Sequence, residues 1–251
     1  MRSLGITKCP SQIAVARPEP FAEVPAFMSE SVPSSAIIPG MASEHTSVDA
    51  LLRRVDEFFM AEGPVHKTLR TLARRLSEEG IDYALAGGMA LVLHGYRRET
   101  EDVDVLLSRD GREAFRGKLT GRGYLPLFPG ARKTFRDTGT GVEIDIITEG
   151  DFPGDGKPKP VSFPHPRAAS TEIDGVRVLT IEKLIELKLA SGMTAPHRLR
   201  DLADVQELIK VLGLDARMAQ QLDPYVQAKY LELMEAVCSA ARYDVEEPGS
   251  E

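Results

Sequence analysis

Apolar residues recur every three or four positions in three parts of the chain, a spacing that is typical of amphipathic helices. The first stripe covers residues 48–59. The second covers residues 64–80, where Pro64 stands in the first turn and Gly80 is a stop signal. The third region, residues 180–242, continues the same spacing almost to the end of the chain. We therefore predict two helices before residue 81 and a helical region after residue 179.

The middle of the chain has the short or alternating apolar runs of β-strands. The predicted strands cover residues 83–86, 103–107, 124–128, 133–135, 142–148 and 176–179. The last of them returns from a turn at Asp174-Gly175. Short helices are predicted over residues 89–94 and 111–120, and the proline-rich residues 150–167 are predicted to be a loop.

The order of these elements predicts an α+β fold. Several strands are too short for a doubly wound sheet, and no glycine-rich fingerprint follows the first one. A small mixed β-sheet core flanked by helices, with a C-terminal helical subdomain, fits the pattern better.

Composition divides the chain further. Residues 1–46 contain six of the 17 prolines and no sustained periodicity, so we predict a disordered tail. Residues 47–179 form the predicted core, residues 180–243 the helical subdomain, and residues 244–251 a disordered acidic tail. Met41 lies just before the first periodic segment, and the sequence leaves open whether Met1 or Met41 is the true start.

The overall charge and the two cysteines exclude several classes of protein. A net charge of −7 argues against a bulk nucleic-acid coat or a cationic membrane binder, although a local basic groove stays possible. Two cysteines cannot build a disulfide framework or a cysteine-rich metal site. We find no bilayer-spanning segment and no secretory signal, and we expect a cytoplasmic protein without a membrane partner.

Three aspartates stand out because their strands place them on the faces opposite the apolar residues. Asp102 and Asp104 alternate with Val103 on one strand, and Asp145 has the same position on a later strand. Two such charges about 4 Å apart repel by about 4 kcal/mol at a surface-like dielectric. If the strands are neighbours, a divalent cation is needed to reverse that sign, and oxygen-only ligands select Mg²⁺ or Mn²⁺.

Other residues around the aspartates suit phosphate binding. Gly87-Gly88 forms a small-residue turn that opens a helix, and Arg97 and Arg98 can contact a polyphosphate. Taken alone, a glycine pair is more often an ordinary turn. An Asp-Val-Asp strand is likewise more often a solvated face beside a buried one. Their occurrence together, in this order, favours a phosphoryl- or nucleotidyl-transfer site.

These residues resemble those of the nucleotidyltransferase superfamily with the DNA polymerase beta-type fold. The resemblance consists of Gly87-Gly88, thirteen intervening residues, Asp102-x-Asp104 and the later Asp145. The segment from Arg98 through Thr100 to Asp104, and the runs over residues 188–192 and 198–205, are similar to the minimal and abortive-infection-toxin branches. The resemblance covers about residues 65–212.

The resemblance implies a metal-dependent transferase that moves a nucleoside monophosphate from a nucleoside triphosphate (NTP) to an acceptor hydroxyl. Gly87 and Gly88 would hold the triphosphate, with Arg98 and Thr100 beside it. The two metal ions, Mg²⁺ or Mn²⁺, would be bound by Asp102, Asp104 and Asp145, and Asp145 would activate the acceptor. Lys188 would contact phosphate. Either Asp201 or Asp204 would be the acid of the last motif.

Lys188 also stands out from the helical pattern alone. Ile181, Leu184 and Ile185 form the apolar stripe of their helix, and Lys188 continues that inward face. An inward lysine has a reason to be there if it faces carboxylates or a phosphate. A lysine that snorkels to the surface is the structural alternative.

The sequence leaves the acceptor open. An RNA such as tRNA, or a protein, would suit a toxin with an antitoxin partner. A small aminoglycoside-type acceptor and a non-catalytic nucleotide-binding adaptor are the alternatives. A group of basic residues could form a patch near the site and favour RNA, although a solvated face is the more common meaning of such charges. Its members are Arg112, Arg116, Lys118, Arg122, Arg132, Lys133 and Arg136.

Overall fold

The computed structural model describes the backbone of residues 63–246 and the side chains of residues 63–240. The predicted helix over residues 48–59, the predicted tail over residues 1–46 and the question of Met41 lie outside the described residues. The division of the chain at residue 179 into a core and a C-terminal helical subdomain stays a prediction. The last helix continues to residue 246, three residues past the predicted boundary at residue 243.

The described chain contains six α-helices and seven β-strands. The helices are α1 (Pro64–Glu78), α2 (Gly87–Leu93), α3 (Arg109–Lys118), α4 (Ile181–Thr194), α5 (Leu199–Leu212) and α6 (Pro224–Glu246). The strands are β1 (Tyr83–Leu85), β2 (Asp102–Leu107), β3 (Tyr124–Pro126), β4 (Thr134–Asp137), β5 (Glu143–Thr148), β6 (Ser170–Ile173) and β7 (Val176–Leu179). Three short 3₁₀ segments cover Pro166–Ala169, Pro196–Arg198 and Ala216–Gln221.

All seven strands form one mixed sheet in the order β3-β4-β5-β2-β1-β7-β6. Two pairs are parallel, β2 with β5 and β1 with β7, and the other four are antiparallel. The α+β prediction of a mixed sheet flanked by helices is confirmed. The sheet brings β2 and β5 together although 35 residues separate them in sequence, which no local pattern could show.

Local signals explain where most elements begin and end. The helix predicted over residues 111–120 begins earlier, at Arg109, because the Ser108 hydroxyl accepts a hydrogen bond from the backbone N–H of Gly111 and caps α3. The C-terminal helical region is broken into three helices. Pro196 follows α4, Gly213 ends α5 in the left-handed conformation at φ 61°, and Pro224 begins α6.

The core lies where the apolar sides of β2 and β5 meet α1 and α3. Along β2 and β5 burial alternates, so that Val103, Val105, Ile144 and Ile146 are buried while the residues between them are partly open. The apolar face of α1, centred on Leu72, joins the same core. The opposite face of the two strands, which carries the aspartates, is therefore not covered by this core and is available for a functional site.

The C-terminal helices pack on one another and contribute side chains to the hydrophobic core. Helix α4 contacts α5 and α6, and Gly192 of α4 lies so close to Leu202 of α5 that a Cβ there would be 2.5 Å from the leucine Cγ. The buried carboxylate of Glu186 accepts a hydrogen bond of 2.8 Å from the backbone N–H of Asp223, just before α6. No helix within the described residues is long and apolar enough to cross a membrane.

Replacement of Leu189 by alanine should destabilise the protein strongly. The Leu189 side chain in α4 is 0% exposed, and removal of such a core leucine costs about 2–5 kcal/mol of unfolding free energy. The matched control is Leu199→Ala in α5, where the leucine is 66% exposed and the change should stay within about 0.5 kcal/mol. Urea denaturation of the full chain measures both, and equal effects would contradict the packing of α4.

Candidate active site

The three aspartates lie on one face of two adjacent parallel strands. In the register of β2 and β5, Asp104 is directly opposite Asp145, and Asp102 is opposite Glu143. Asp145 also pairs with Thr134 of β4 on its other side. The condition under which the sequence predicted convergence, that the two strands are neighbours, is therefore met in this structure.

Negative charge accumulates at Asp104. Burial, together with the nearby carboxylates of Asp102 and Asp145, raises the pKa of the Asp104 carboxyl to about 7. The positive charges of Lys188 and Arg198 lower this pKa but do not restore its ordinary value. The site is thus short of positive charge in the part of the chain that the structure describes.

Gly87 and Gly88 begin α2 just after β1, and they lie close to Asp104 and Thr100 respectively. Gly87 has a φ of 55°, and a Cβ on it would lie 1.7 Å from Asp104 Oδ2. A Cβ on Gly88 would lie 2.5 Å from Thr100 Oγ1. Both positions need glycine because the backbone passes within contact of the carboxylate and the hydroxyl.

The buried Thr100 orients one of the aspartates. Its hydroxyl donates a 2.7 Å hydrogen bond to Asp102 Oδ1. One oxygen of Asp102 is therefore held from within the same segment. Thr100, which the sequence placed beside the nucleotide, contacts Asp102 and Gly88 in this structure.

A buried ion network forms a neighbouring wall of the site. Arg98 Nη1 donates to both oxygens of Asp204, at 2.8 and 2.6 Å. Lys188 Nζ donates to Asp204 Oδ2 at 2.7 Å and to Asp201 Oδ1 at 2.9 Å. Ser191 Oγ donates to Asp201 Oδ2 at 2.6 Å. Lys188 points inward, as its place on the helical stripe indicated, and its ammonium is bound by two carboxylates.

Asp201 and Asp204, the two candidates for the acid of the last motif, differ in their contacts within this network. Asp201 and Asp204 are both part of it, but Asp204 holds two cations and is the more buried of the two. Burial alone would raise the pKa of the Asp201 carboxyl. The charge of Lys188 and the hydrogen bonds from Ser191 and Lys188 outweigh burial and hold that pKa below its ordinary value. Sequence reasoning missed Ser191, because a serine inside a helix carries no signature of its partner.

All these groups open into one cleft of about 880 Å³. Its far wall comes from residues 150–163, which the sequence described only as a proline-rich loop. Phe152, Pro153, Gly154 and Phe163 line the cleft together with Lys133. The one feature of the sequence that could have indicated this wall is that the loop follows directly after β5, the strand that carries Asp145.

Two histidines and Arg97 lie away from these groups. His94 packs at the end of α2, where its Nε2 is 2.7 Å from the carbonyl oxygen of Leu179. His165 accepts a hydrogen bond from the backbone N–H of Arg167 and lies 4.0 Å from Asp82. Arg97 is exposed and does not line the cleft.

The basic group does not form a patch at the site. Of its members only Lys133 lines the cleft. Arg112 and Arg116 pair with Glu113, and Lys118 pairs with Glu79. These ion pairs correspond to the solvated-face alternative for α3.

The donor set suits Mg²⁺ or Mn²⁺ although the side chains are not drawn together as a finished metal site. Among residues with described side chains, no three His, Cys, Asp or Glu groups are close enough to hold an ion. Asp102, Asp104 and Asp145 nevertheless share one face, supply only oxygen donors, and leave their negative charge unbalanced. The residues present therefore fit a divalent cation by their chemistry.

A family model identifies the class of protein to which the chain belongs. The family described as "Nucleotidyl transferase AbiEii toxin, Type IV TA system" matches residues 70–243. The chain belongs to this family of nucleotidyltransferases and is a transferase. A search among curated proteins finds no match.

Solved structures of similar fold share little sequence with the chain. An antigenic nucleotidyltransferase-like protein from Paracoccidioides brasiliensis is 17% identical, with 57% of this chain and 74% of that one covered, at a TM-score of 0.38. JHP933 from Helicobacter pylori is 18% identical, with coverage of 72% and 91% and a TM-score of 0.39. ANT(2″)-Ia in complex with adenylyl-2″-tobramycin is 14% identical, with coverage of 67% and 92% and a TM-score of 0.40.

Alanine at Gly87 should damage the site, whereas alanine at Gly80 should not. Both glycines have positive φ, 55° and 67°, so each substitution costs about 1 kcal/mol of unfolding free energy. Only at Gly87 does the new Cβ meet a side chain, the Asp104 carboxylate. We expect NTP affinity in Mg²⁺, measured by calorimetry, to fall about tenfold or more in Gly87→Ala, the equivalent of 1.4 kcal/mol. Unchanged affinity would contradict the close approach.

Removal of the charge of Asp204 should cost more stability than removal of the charge of Asp201. Asp204→Asn leaves Arg98 and Lys188 buried with one carboxylate fewer, and breaking a buried pair costs about 3–5 kcal/mol. Asp201, whose side chain is 14% exposed against 3% for Asp204, should lose less. Urea denaturation without nucleotide compares the two variants, and a larger loss for Asp201→Asn would contradict the network.

Proposed function

We propose that the protein transfers a nucleoside monophosphate from an NTP to an acceptor hydroxyl in a reaction that depends on Mg²⁺ or Mn²⁺. One observation carries this proposal. Asp104 and Asp145 are opposed on adjacent parallel strands, Asp102 lies on the same face, and Gly87 at the start of α2 lies against Asp104. A nucleotide-binding adaptor without turnover would have no need for three crowded carboxylates.

The triphosphate is proposed to lie along Gly87-Gly88. Because the glycines carry no side chains, the backbone at Gly87 lies close to the Asp104 carboxylate and no side chain of either glycine enters the cleft. Arg98 and Lys188 stand on the same cleft wall and supply positive potential to the phosphates. Because both cations are bound by Asp204, that carboxylate sets their positions before substrate arrives.

Asp102, Asp104 and Asp145 would hold two divalent ions, the number that the resemblance implies, and these ions would balance the charge of the three carboxylates. Bound there, the ions would supply positive charge against the charge that builds on the phosphates. Asp145 Oδ accepts the proton of the acceptor hydroxyl. The hydroxyl oxygen then forms a bond to the α-phosphorus, the bond from that phosphorus to the β-phosphate bridge oxygen breaks, and pyrophosphate leaves.

The acceptor is proposed to be a macromolecule, RNA or protein, and the biological role that of a toxin. The name of the family, a toxin of a toxin–antitoxin system, supports this role and an antitoxin as partner. Such a partnership suits a cytoplasmic protein. An aminoglycoside-type acceptor is the alternative, and no contact in the cleft favours it.

Asp104→Asn should abolish transfer. Loss of one preorganised charged group from such a site reduces turnover by about a hundredfold or more. The measurement uses each α-labelled NTP with Mg²⁺ and total RNA or the protein itself as acceptor, with and without EDTA. Asp110→Asn, an exposed aspartate of α3 outside the cleft, is the matched control and should transfer normally. Transfer that survives Asp104→Asn or EDTA would contradict the metal-dependent assignment.

A further inference from the structure

We infer that Ser191 and Asp201 are positioning residues, which direct the ammonium group of Lys188 at the triphosphate. Ser191 fixes the orientation of the Asp201 carboxylate, and that carboxylate in turn fixes the ammonium. This role rests on the proposed function, because it concerns how Lys188 meets the phosphates of an NTP. Neither residue needs to touch the substrate to have this effect.

Ser191 uses its hydroxyl differently from an ordinary hydroxyl residue inside a helix. Such residues often donate back to the carbonyl oxygen four residues earlier. Thr194, one turn further along α4, does so with the carbonyl oxygen of Ala190 at 2.8 Å. The buried Ser191 instead donates to Asp201 Oδ2 at 2.6 Å. Its hydroxyl is therefore directed away from its own helix and across to α5.

The spacing of Lys188 and Ser191 lets one carboxylate contact both of them. Residues three apart lie on the same face of a helix, one turn from each other. Asp201 spans this turn, because its Oδ2 accepts from Ser191 and its Oδ1 accepts from Lys188 Nζ at 2.9 Å. Since the hydroxyl holds one oxygen of the carboxylate, the other oxygen is turned towards the ammonium.

Asp201 gives the Lys188 ammonium a second acceptor. The first acceptor, Asp204 Oδ2, is shared, because it also accepts from Arg98 Nη1 at 2.6 Å. A single bond to a shared oxygen holds the ammonium at one point and lets it pivot. The bond to Asp201 removes this freedom. An ammonium has three N–H donors, so the two carboxylates leave one N–H of Lys188 for a phosphate in the cleft that Lys188 lines.

Arg198 competes with Ser191 for the same carboxylate oxygen. Its Nε lies 4.0 Å from Asp201 Oδ2, and its side chain is exposed and can move closer. Without the Ser191 hydroxyl, we expect the Asp201 carboxylate to turn towards Arg198 and to loosen its bond to Lys188. The hydroxyl of Ser191 thus keeps the carboxylate on the inner side of the wall.

The packing of α4 against α5 already has an apolar basis beside this polar pair. A Cβ on Gly192, the residue after Ser191, would lie 2.5 Å from the Cγ of Leu202. Leu189 of α4 and Val205 of α5 are both buried in the same core. The bond from Ser191 to Asp201 is therefore an addition to a helix contact that the core makes without it.

Replacement of Ser191 by alanine should weaken NTP binding about tenfold, because the loss of a hydrogen bond to a charged group lets the ammonium move. Calorimetry of the full chain in Mg²⁺ with ATP, GTP, CTP and UTP in turn measures this loss for the NTP that binds most tightly. The matched control is Thr68→Val in α1. Thr68 is buried and its hydroxyl also donates to a buried carboxylate, Asp137 Oδ2 at 3.2 Å, but both residues lie outside the cleft. Thr68→Val should lower resistance to urea as Ser191→Ala does, and bind NTP normally.

A double-mutant cycle separates a positioning role from a merely structural one. If Ser191 acts through Lys188, then Ser191→Ala should change NTP affinity by less than about twofold in a Lys188→Met background, which lacks the ammonium. A structural defect would still weaken binding about tenfold there. Asp201→Asn, the conservative change of the residue between them, is the second background. It gives the same comparison if urea denaturation shows that Lys188→Met does not fold.

Three results would each overturn the role of Ser191 and Asp201. They are normal NTP affinity in Ser191→Ala, an equal loss of affinity in Thr68→Val, and effects of Ser191→Ala that add fully to those of the background variant. All three leave the proposed function standing, because the unaltered protein still binds NTP. Failure of the unaltered protein to bind any of the four NTPs would instead refute the proposed function, and the positioning role with it.

Discussion

Crowding of like charge on one face of the sheet is the constraint on which the rest of the site depends. Asp104 and Asp145 are opposed across β2 and β5, and burial with their mutual repulsion raises the pKa of Asp104 to about 7. The valines and isoleucines of both strands are buried on one side of the sheet. Because side chains alternate along a strand, the aspartates must lie together on the other side. The two residues at the start of α2 are glycines because a Cβ there would clash with Asp104 or Thr100.

The ion network shows that the C-terminal helices belong to this site. Asp204 of α5 holds Arg98, which precedes β2, and Lys188 of α4. Such a buried network fixes the positions of its side chains more than it stabilises the fold. The desolvation of its two cations and two carboxylates offsets much of their mutual attraction. Arg98 and Lys188 are therefore held at fixed positions in the wall of the cleft that Asp102, Asp104 and Asp145 also line.

Local patterns predicted the elements well and the contacts between them poorly. The alternation along β2 and β5 correctly placed three aspartates away from the core, because strand periodicity is a property of neighbouring residues. The wall around Phe152 had no such pattern. It depends on Gly154 and Lys159 meeting Thr194, some 35–40 residues later in the chain, and on a close approach that sequence spacing does not encode. The partnership of Ser191 with Asp201 was hidden for the same reason.

The sequence by itself determined the α+β class, the strand faces and the family resemblance, since each follows from the order of residues along the chain. Only the tertiary structure decided that β2 lies beside β5, that Asp204 rather than Asp201 holds both cations, and that a proline-rich loop forms the far wall of the cleft. The physical reason is that these contacts join distant segments, whose meeting is set by how the whole sheet and its helices pack.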